Sequence, residues 1–412
     1  MPIRLKIART AQELDDVFRL RHDVYVAERG KFSDRRAHDD NRIVDHFDTL
    51  PGVANVVAYD GATAVASFRV NKDSPVGLPP EKYYDFSAVR RDIEKSSEEL
   101  TGGACIVSGS MLAIRKNWRH RRNVVAALFK TTTAVMHGWG ATHVFGTASA
   151  ETFSLWGRLG FEGLAESQWV ESVGDSLVPM SAPFDKVYSW AFGASRSVVE
   201  WFWLDNFRAQ FDRVLLSPGE VLFRENDAAE HAYAVDQGGI AVSRRGPDGK
   251  EVIVAQLPKG ALFGELAIFD GESRSATATA TMNTEVVAIG REQMLDIIRQ
   301  DPGKMDQLLG HFARRLRETD HLAMVQAFAP QTGRVVYALD ELWNSATPQQ
   351  DQPMVREVHL GPEQIARKAA VRESEVLRVL EMRKATGGLD YGDDLIRFHR
   401  PPAVDELYRV RS

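Results

Sequence analysis

Apolar residues recur at helical spacing near the start of the chain, at Val17, Leu20, Val24 and Tyr25. Thr10 followed by Glu13 has the form of a capping box, so the spacing predicts a helix opening just after Thr10, behind a strand over residues 4–9. Strands are then expected at 54–59 and 64–70, split by Asp60-Gly61. Residues 71–103, rich in Pro, Gly and charge, read as loop with a short helix near 87–99. A long strand over 104–114 runs into the basic stretch Arg115-Lys116-Asn117-Trp118-Arg119-His120-Arg121-Arg122-Asn123. A helix to Gly138, a strand over 142–147 and a helix over 150–159 ending in Gly160-Phe161 complete a first domain over 1–185.

The pattern then changes. Residues 186–212 are dense in aromatics: Tyr188, Trp190, Phe192, Trp201, Phe202 and Trp203. They read as a buried helical connector; a membrane-surface helix is the alternative, opposed by low Lys/Arg content. From 213 short strands take over, with turns at Gly238-Gly239 and Asp248-Gly249-Lys250. A short helix over 291–300 precedes Asp301-Pro302. A long helix over 303–328 follows, with a stripe of Leu308, Leu309, Phe312, Leu316, Leu322, Met324 and Val325. That stripe predicts a homodimer by coiled-coil-like packing. The segment 213–329 therefore forms a third section. The tail, 330–412, reads as helices near 333–343, 360–366 and 371–380, then a two-stranded wing over 389–398.

A length of 412 residues suits two to four domains. A net charge of −6 does not favour a whole-chain nucleic-acid binder. The single Cys105 excludes an internal disulfide and a cysteine-rich metal site, and fits a reducing cytoplasm. No metal site is expected. The N-terminus has no signal-peptide core, and no apolar run reaches membrane-spanning length.

Candidate chemistry is concentrated in Phe263-Gly264-Glu265-Leu266-Ala267 and Arg274-Ser275-Ala276-Thr277. Gly264 permits close backbone approach, Arg274 offers a rigid fork of donors to a phosphate, and Ser275 adds a hydroxyl. Glu265 can accept from a sugar hydroxyl, so the stretch points to a nucleotide. It resembles the phosphate-binding cassette of cyclic-nucleotide-binding domains. The resemblance implies a β-roll in which Glu265 takes the ribose, Arg274 and Ser275 hold the cyclic phosphate, and Gly264 donates from its backbone. Ser275-Ala276 leans toward cyclic AMP. The helix 303–328 resembles the dimerisation helix of cyclic-AMP receptor proteins, which makes Thr319 the adenine contact or an exposed threonine on a dimer helix.

The element order of residues 1–161 and the ending Leu159-Gly160-Phe161 resemble the α/β GNAT fold of N-acyltransferases. That family cradles the coenzyme A pyrophosphate at the turn before the first long helix, which implies Arg115, Arg119, Arg121, Arg122 and Asn123 here. Arg122 and Val124 stand where the family has glycines, so side-chain cations or a phosphopantetheine on a carrier protein are implied. A nucleic-acid patch is the alternative for this run. Leu20-Arg21-His22-Asp23-Val24-Tyr25, Asp45-His46-Phe47-Asp48 and Arg69 resemble acyl-homoserine-lactone synthases and N-acyl amino acid synthases. Ser108 and Met111 replace a glutamate and an arginine of the lactone synthases, which points to acylation of another amine without S-adenosylmethionine. An amine must lose a proton to attack. Asp45 and Asp48 are candidates to orient or deprotonate it, against a structural pairing with Arg21. Ser108 and Ser110 lie where the thioester should pass, or are plain strand residues.

The tail resembles the winged helix-turn-helix of the cyclic-AMP receptor family. Glu373 and Glu375 open its second helix beside Arg372 and Arg378, so DNA binding is allowed by the fold but not favoured by charge. The expectation is a cytoplasmic, cyclic-AMP-regulated N-acyltransferase. It would take acyl-CoA or an acyl-carrier protein and an amine. The alternative is a cyclic-AMP-responsive transcription regulator whose first domain senses an acyl thioester.

Overall fold

The computed structural model describes residues 1–32, 40–97, 103–193, 212–246, 251–300, 303–346, 355–358 and 360–402. The chain divides into two compact units. Unit 1 comprises Met1–Leu216 and Glu285–Ala288, and unit 2 comprises Ser217–Thr284 and Ile289–Ser412. Trp201, Phe202, Trp203, the Asp248-Gly249-Lys250 turn and Asp301-Pro302 lie outside the described residues.

Unit 1 is built on β1 (Ile3–Ile7), α1 (Ala11–His22), β2 (Val53–Asp60), β3 (Thr63–Lys72), α2 (Ser87–Ser97), β4 (Ile106–Ile114), α3 (Arg122–Gly138), β5 (His143–Ser149), α4 (Phe153–Gly157), β6 (Glu162–Gly163), β7 (Gln168–Val170), β8 (Asp175–Pro183), α5 (Phe184–Phe192) and β9 (Arg213–Leu216). Its sheet runs β9-β1-β2-β3-β4-β5-β8-β6, with β7 on β8. Thr10 caps α1 as the sequence predicts, accepting from the Glu13 N–H at 3.2 Å while Glu13 accepts from the Thr10 N–H at 3.0 Å. A short π-helix, Asp23–Ala27, extends α1, and a 3-10 turn, His46–Thr49, is capped by Asp45. α3 is buried nearly throughout, packing Val124, Ala127, Leu128 and Val135 against Val56, Phe68, Val70 and Val107 of the sheet.

The helix expected at 150–159 is only α4, five residues long. Gly157 and Gly160 limit it, since glycine is a poor helix former. The hairpin beyond it, β7 and β8, has no counterpart in the sequence reading. Pro179 and Pro183 conceal β8, because proline rarely marks an inner strand.

Unit 2 contains β10 (Val221–Phe223), β11 (His231–Gln237), β12 (Gly239–Arg245), β13 (Glu251–Pro258), β14 (Leu262–Phe263), α6 (Glu265–Asp270) and β15 (Thr277–Ala280). One of its sheets runs β10-β15-β12-β13, and β14 pairs with β11. β16 (Thr284–Gly290) leads to α7 (Arg291–Gln300) and α8 (Gly303–Phe328). α8 buries Leu308 and Val325 but exposes Met305, Leu309, Leu316, Met324 and Phe328. The tail holds α9 (Gln331–Ser345), β17 (Arg356–Val358), α10 (Pro362–Ala369), α11 (Glu373–Ala385), β18 (Leu389–Tyr391) and β19 (Ile396–Phe398), with strand order β17-β19-β18. Ala370, between α10 and α11, takes a left-handed conformation at φ 52°. Among the described residues no helix is long and apolar enough to cross a membrane.

Gly109 lies in β4 where a Cβ would come within 2.8 Å of the buried Phe68 ring. Gly109→Ala is expected to cost about 1–3 kcal/mol by overpacking. A thermal melt that matches the parent's would contradict the packing described.

Candidate active site and nucleotide cassette

β4 and β5 are parallel neighbours that pair only over Ile106–Ser108 and His143–Phe145. Beyond Ser108 the ladder ends. On β4's other side the register with β3 shifts between Ser67 and Arg69, so Met111 and Leu112 stand opposite Phe68. Met111 takes φ 53°, uncommon for a residue with a side chain, and such bulges re-aim backbone groups. The Tyr25 hydroxyl donates to the Leu112 carbonyl at 2.8 Å and ties the bulge to the π-helix.

A cavity of about 230 Å³ fills the gap between the strands. Gly109, Ser110, Met111, Leu112 and Ile114 line one wall, and Thr147, Ala148 and Ser149 line the other. Phe68, Leu155, Trp156 and Leu177 make it largely apolar, while Asp45, Arg69, Arg119, Lys31 and Asp175 add charge. The lining is thus mostly apolar with a few charged groups, the composition of a small-molecule site.

Beneath that wall lies a buried charge cluster. Arg21 Nη1 donates to both Asp48 oxygens at 3.0 Å. Arg21 Nη2 donates to Asn55 Oδ1. Arg69 Nη1 donates to Asp45 Oδ1 at 2.6 Å and to Asp48 Oδ2 at 2.9 Å, and its Nε donates to Ser110 Oγ at 3.0 Å. Asp45 also accepts from the Phe47 N–H at 3.0 Å. Arg21, Arg69 and Asp48 are essentially inaccessible, whereas the Asp45 side chain is 16% exposed and reaches the cavity. Burial pushes the Asp48 carboxyl up, but the nearby Arg21 and Arg69 guanidiniums outweigh it and hold the group below its ordinary range. Asp48 therefore stays ionised and serves as a counter-charge.

Of the residues proposed from sequence, Arg21, Asp45 and Asp48 thus come together, with Arg69 and Ser110. Ser108 does not join them. It is fully buried, outside the cavity lining, with an Oγ that has no hydrogen-bond partner among the described residues. In the basic stretch, Arg119 lines the cavity, donates to the Ile114 carbonyl at 2.9 Å and pairs with Glu28. Arg115 donates to the Ala64 carbonyl at 2.9 Å and pairs with Asp23 at 2.9 Å. Arg121 lies 4.1 Å over the Trp118 ring. Arg122 and Asn123 are exposed in the first turn of α3, where no side chain caps the helix. That leaves α3's positive end open to an anion. Lys31, Tyr83 and Asp175 reach the cavity from segments with no sequence signal of their own, and Leu155 from the predicted helix over 150–159.

In unit 2, Gly264 adopts φ 68° at the start of α6, where a Cβ would meet Arg274 Nη1 at 2.7 Å. Arg274, 3% exposed, donates from Nη1 to the Gly264 carbonyl at 2.8 Å and from Nη2 to the His231 carbonyl at 2.6 Å. Its guanidinium lies 4.2 Å from the Phe223 ring centre and 5.5 Å from that of Tyr233. Among the described residues it has no carboxylate within ion-pair distance, and its Nε has no acceptor. Burial lowers its pKa. Glu265 is fully buried and Ser275 is exposed. Thr319 lies on α8, but its side chain is outside the described residues.

Comparison with known proteins gives two family matches. Residues 16–183 match the N-acyl amino acid synthase FeeM family, and residues 213–301 match the cyclic nucleotide-binding domain. A cyclic AMP receptor protein of Thermus thermophilus is 30% identical over 197 residues, covering 48% of this chain and 88% of that protein. A CRP-like cAMP-activated global transcriptional regulator of Mycobacterium tuberculosis is 32% identical over 124 residues, 30% of this chain and 55% of that protein. The solved structure of FeeM, an N-acyl amino acid synthase from uncultured soil microbes, is 14% identical, with a TM-score of 0.37. That match covers 45% of this chain and 93% of that one.

Asp48→Asn is expected to destabilise unit 1 by about 3–5 kcal/mol, because it breaks a buried pair. Asp48's folded-state pKa is lowered, so its stabilisation is complete above the unfolded value of about 4 and is lost as pH falls through the folded value. Acid titration of stability should therefore be shallower in the variant; identical acid profiles would refute the assignment.

Proposed function

The chain belongs to the cyclic AMP receptor protein family and carries an N-acyl amino acid synthase domain ahead of it, and from that premise we propose a cyclic-AMP-regulated N-acyltransferase. The donor is an acyl thioester of coenzyme A or of a carrier protein, and the acceptor is the amine of an amino acid. The observation that carries the reading is the parting of β4 from β5 around an apolar cavity with Asp45 in its wall.

In this reading the acyl chain lies in the cavity, and the donor's phosphates meet the open end of α3 with Arg119, Arg121 and Arg122. The amine nitrogen attacks the thioester carbon. The new C–N bond forms, the C–S bond breaks, and the nitrogen's proton leaves through solvent while the thiolate departs. Backbone N–H groups at the Met111 bulge face the developing oxyanion. Asp45, fixed by Arg69 and the Phe47 N–H, offers its remaining lone pairs to orient the amine. Arg21 and Asp48 hold that arrangement from behind.

Cyclic AMP is the proposed regulator. A buried guanidinium held by carbonyls and aromatic faces, with no carboxylate within ion-pair distance among the described residues, suits an incoming cyclic phosphate. Glu265 takes the ribose, Ser275 adds a hydroxyl, Gly264 donates from its backbone, and Thr319 is the proposed adenine contact. The exposed apolar stripe of α8 is the proposed dimer contact. The tail is proposed to be a winged helix-turn-helix used for packing more than for DNA. Arg378 already donates from Nη2 to Glu375 and to Thr332, both at 2.6 Å, which draws a basic group of α11 away from a phosphate backbone. The single cysteine suits a reducing cytoplasm.

Asp45→Asn should lower kcat for acyl transfer by about 10²-fold while leaving donor binding intact, the range for a lost orienting group. Parent-like kcat would remove Asp45 from the mechanism. Arg274→Ala should abolish heat of cyclic AMP binding in calorimetry, and binding unchanged from the parent would refute the phosphate role. Leu316→Glu should shift the sedimenting species from dimer to monomer; a parent chain that is already monomeric would contradict the α8 contact.

A further inference from the structure

Two segments of the nucleotide-binding match, Arg213–Leu216 and residues 285–288, belong to unit 1. β9 extends the synthase sheet, pairing Leu215 with Ile3 and Val214 with Arg4, and the Ala288 N–H donates to the Asp212 carbonyl at 2.9 Å. Three charged side chains meet there. Glu285 accepts from Arg213 Nη1 at 2.6 Å and from Lys130 Nζ at 2.8 Å. Arg213 is fully buried, Glu285 is 6% exposed and Lys130 9%. One carboxylate thus serves two buried cations, and its position fixes theirs.

Lys130 is on α3, whose first turn is the proposed donor cradle. Its neighbour Phe129 packs edge-on against Phe68 and Trp156, both at 5.4 Å, and those two rings line the acyl cavity. On the other side of Glu285 in the chain, Thr284 belongs to unit 2. Its Oγ1 donates to the Gly239 carbonyl at 3.0 Å and accepts from the Gly239 N–H at 3.2 Å. A Cβ at Gly238 would come within 2.5 Å of that oxygen, so Thr284 packs this closely on the turn only because residue 238 is a glycine. One peptide bond therefore joins a residue locked into the nucleotide-binding fold to the carboxylate that holds α3.

We propose that Glu285 is the positioning residue through which nucleotide occupancy sets α3, and with it the donor cradle and acyl cavity. The proposal rests on the regulatory reading above. Nucleotide binding shifts α3 only by its differential affinity for two arrangements of this strand, and the Glu285–Lys130 contact carries that difference. Without the contact the two halves still work, but they work separately.

The test uses the full chain and measures thioester turnover with and without cyclic AMP, alongside calorimetry. In Glu285→Gln and Lys130→Gln, cyclic AMP affinity and basal turnover should stay within about twofold of the parent. The ratio of turnover with nucleotide to turnover without should collapse to about one, a complete loss of coupling. Lys130→Arg, which keeps the charge, should keep the parent's ratio. A parent-like ratio in the two Gln variants would overturn the proposal. Should Glu285→Gln fail to fold, the Lys130→Gln and Lys130→Arg pair decides it alone. A parent chain that binds cyclic AMP with no change in turnover would instead sink the regulatory reading, and this inference with it.

Discussion

Two guanidiniums buried against two carboxylates organise the catalytic half of this chain. Arg21 comes from α1, Arg69 from β3, and Asp45 and Asp48 from the turn between α1 and β2. Burying any one of these charges alone would be costly, since an isolated ion loses its hydration without compensation. The cluster is formally neutral, and Asn55 and Ser110 satisfy further donors. The turn at 45–49 is therefore pinned to the sheet at one register, and Asp45 is the carboxylate of the cluster that lines the cavity, beside Arg69. The parting of β4 and β5 supplies space; the cluster decides which polar group looks into it.

The nucleotide cassette follows the opposite logic. Arg274 is as buried as Arg69, but its partners are two backbone carbonyls and the faces of Phe223 and Tyr233. None of these carries a full negative charge. Asp227 and Glu265 act on it only from beyond ion-pair distance, so a buried guanidinium without a bonded carboxylate is what sets this unit's arginine apart from Arg21 and Arg69 of the other. Gly264 contributes by having no Cβ, because any side chain there would strike the guanidinium.

Much of this was legible in the sequence, for identifiable reasons. The capping box at Thr10 and Glu13, the amphipathic spacing of α1 and the turn at Asp60-Gly61 are local signals, and the local structure follows them. The cassette around Gly264 and Arg274 is compact enough to recognise by its order. Tertiary relations were not legible. Nothing near Ser108 says that it lies outside the cavity lining while Ser110, two residues on along the same strand, belongs to it; the difference comes from where the ladder between β4 and β5 stops. Pro179 hid a strand. Lys130, Arg213 and Glu285 are far apart in the chain and unremarkable singly, so their meeting emerges only from the sheet that carries β9.

The central claim is that a cyclic nucleotide controls acyl transfer in this chain. Its most direct test is a titration of cyclic AMP into a turnover assay with an acyl thioester and an amino-acid acceptor. The account predicts a saturable change in rate whose midpoint equals the dissociation constant from calorimetry. A flat rate across a titration in which calorimetry shows the nucleotide bound would contradict it.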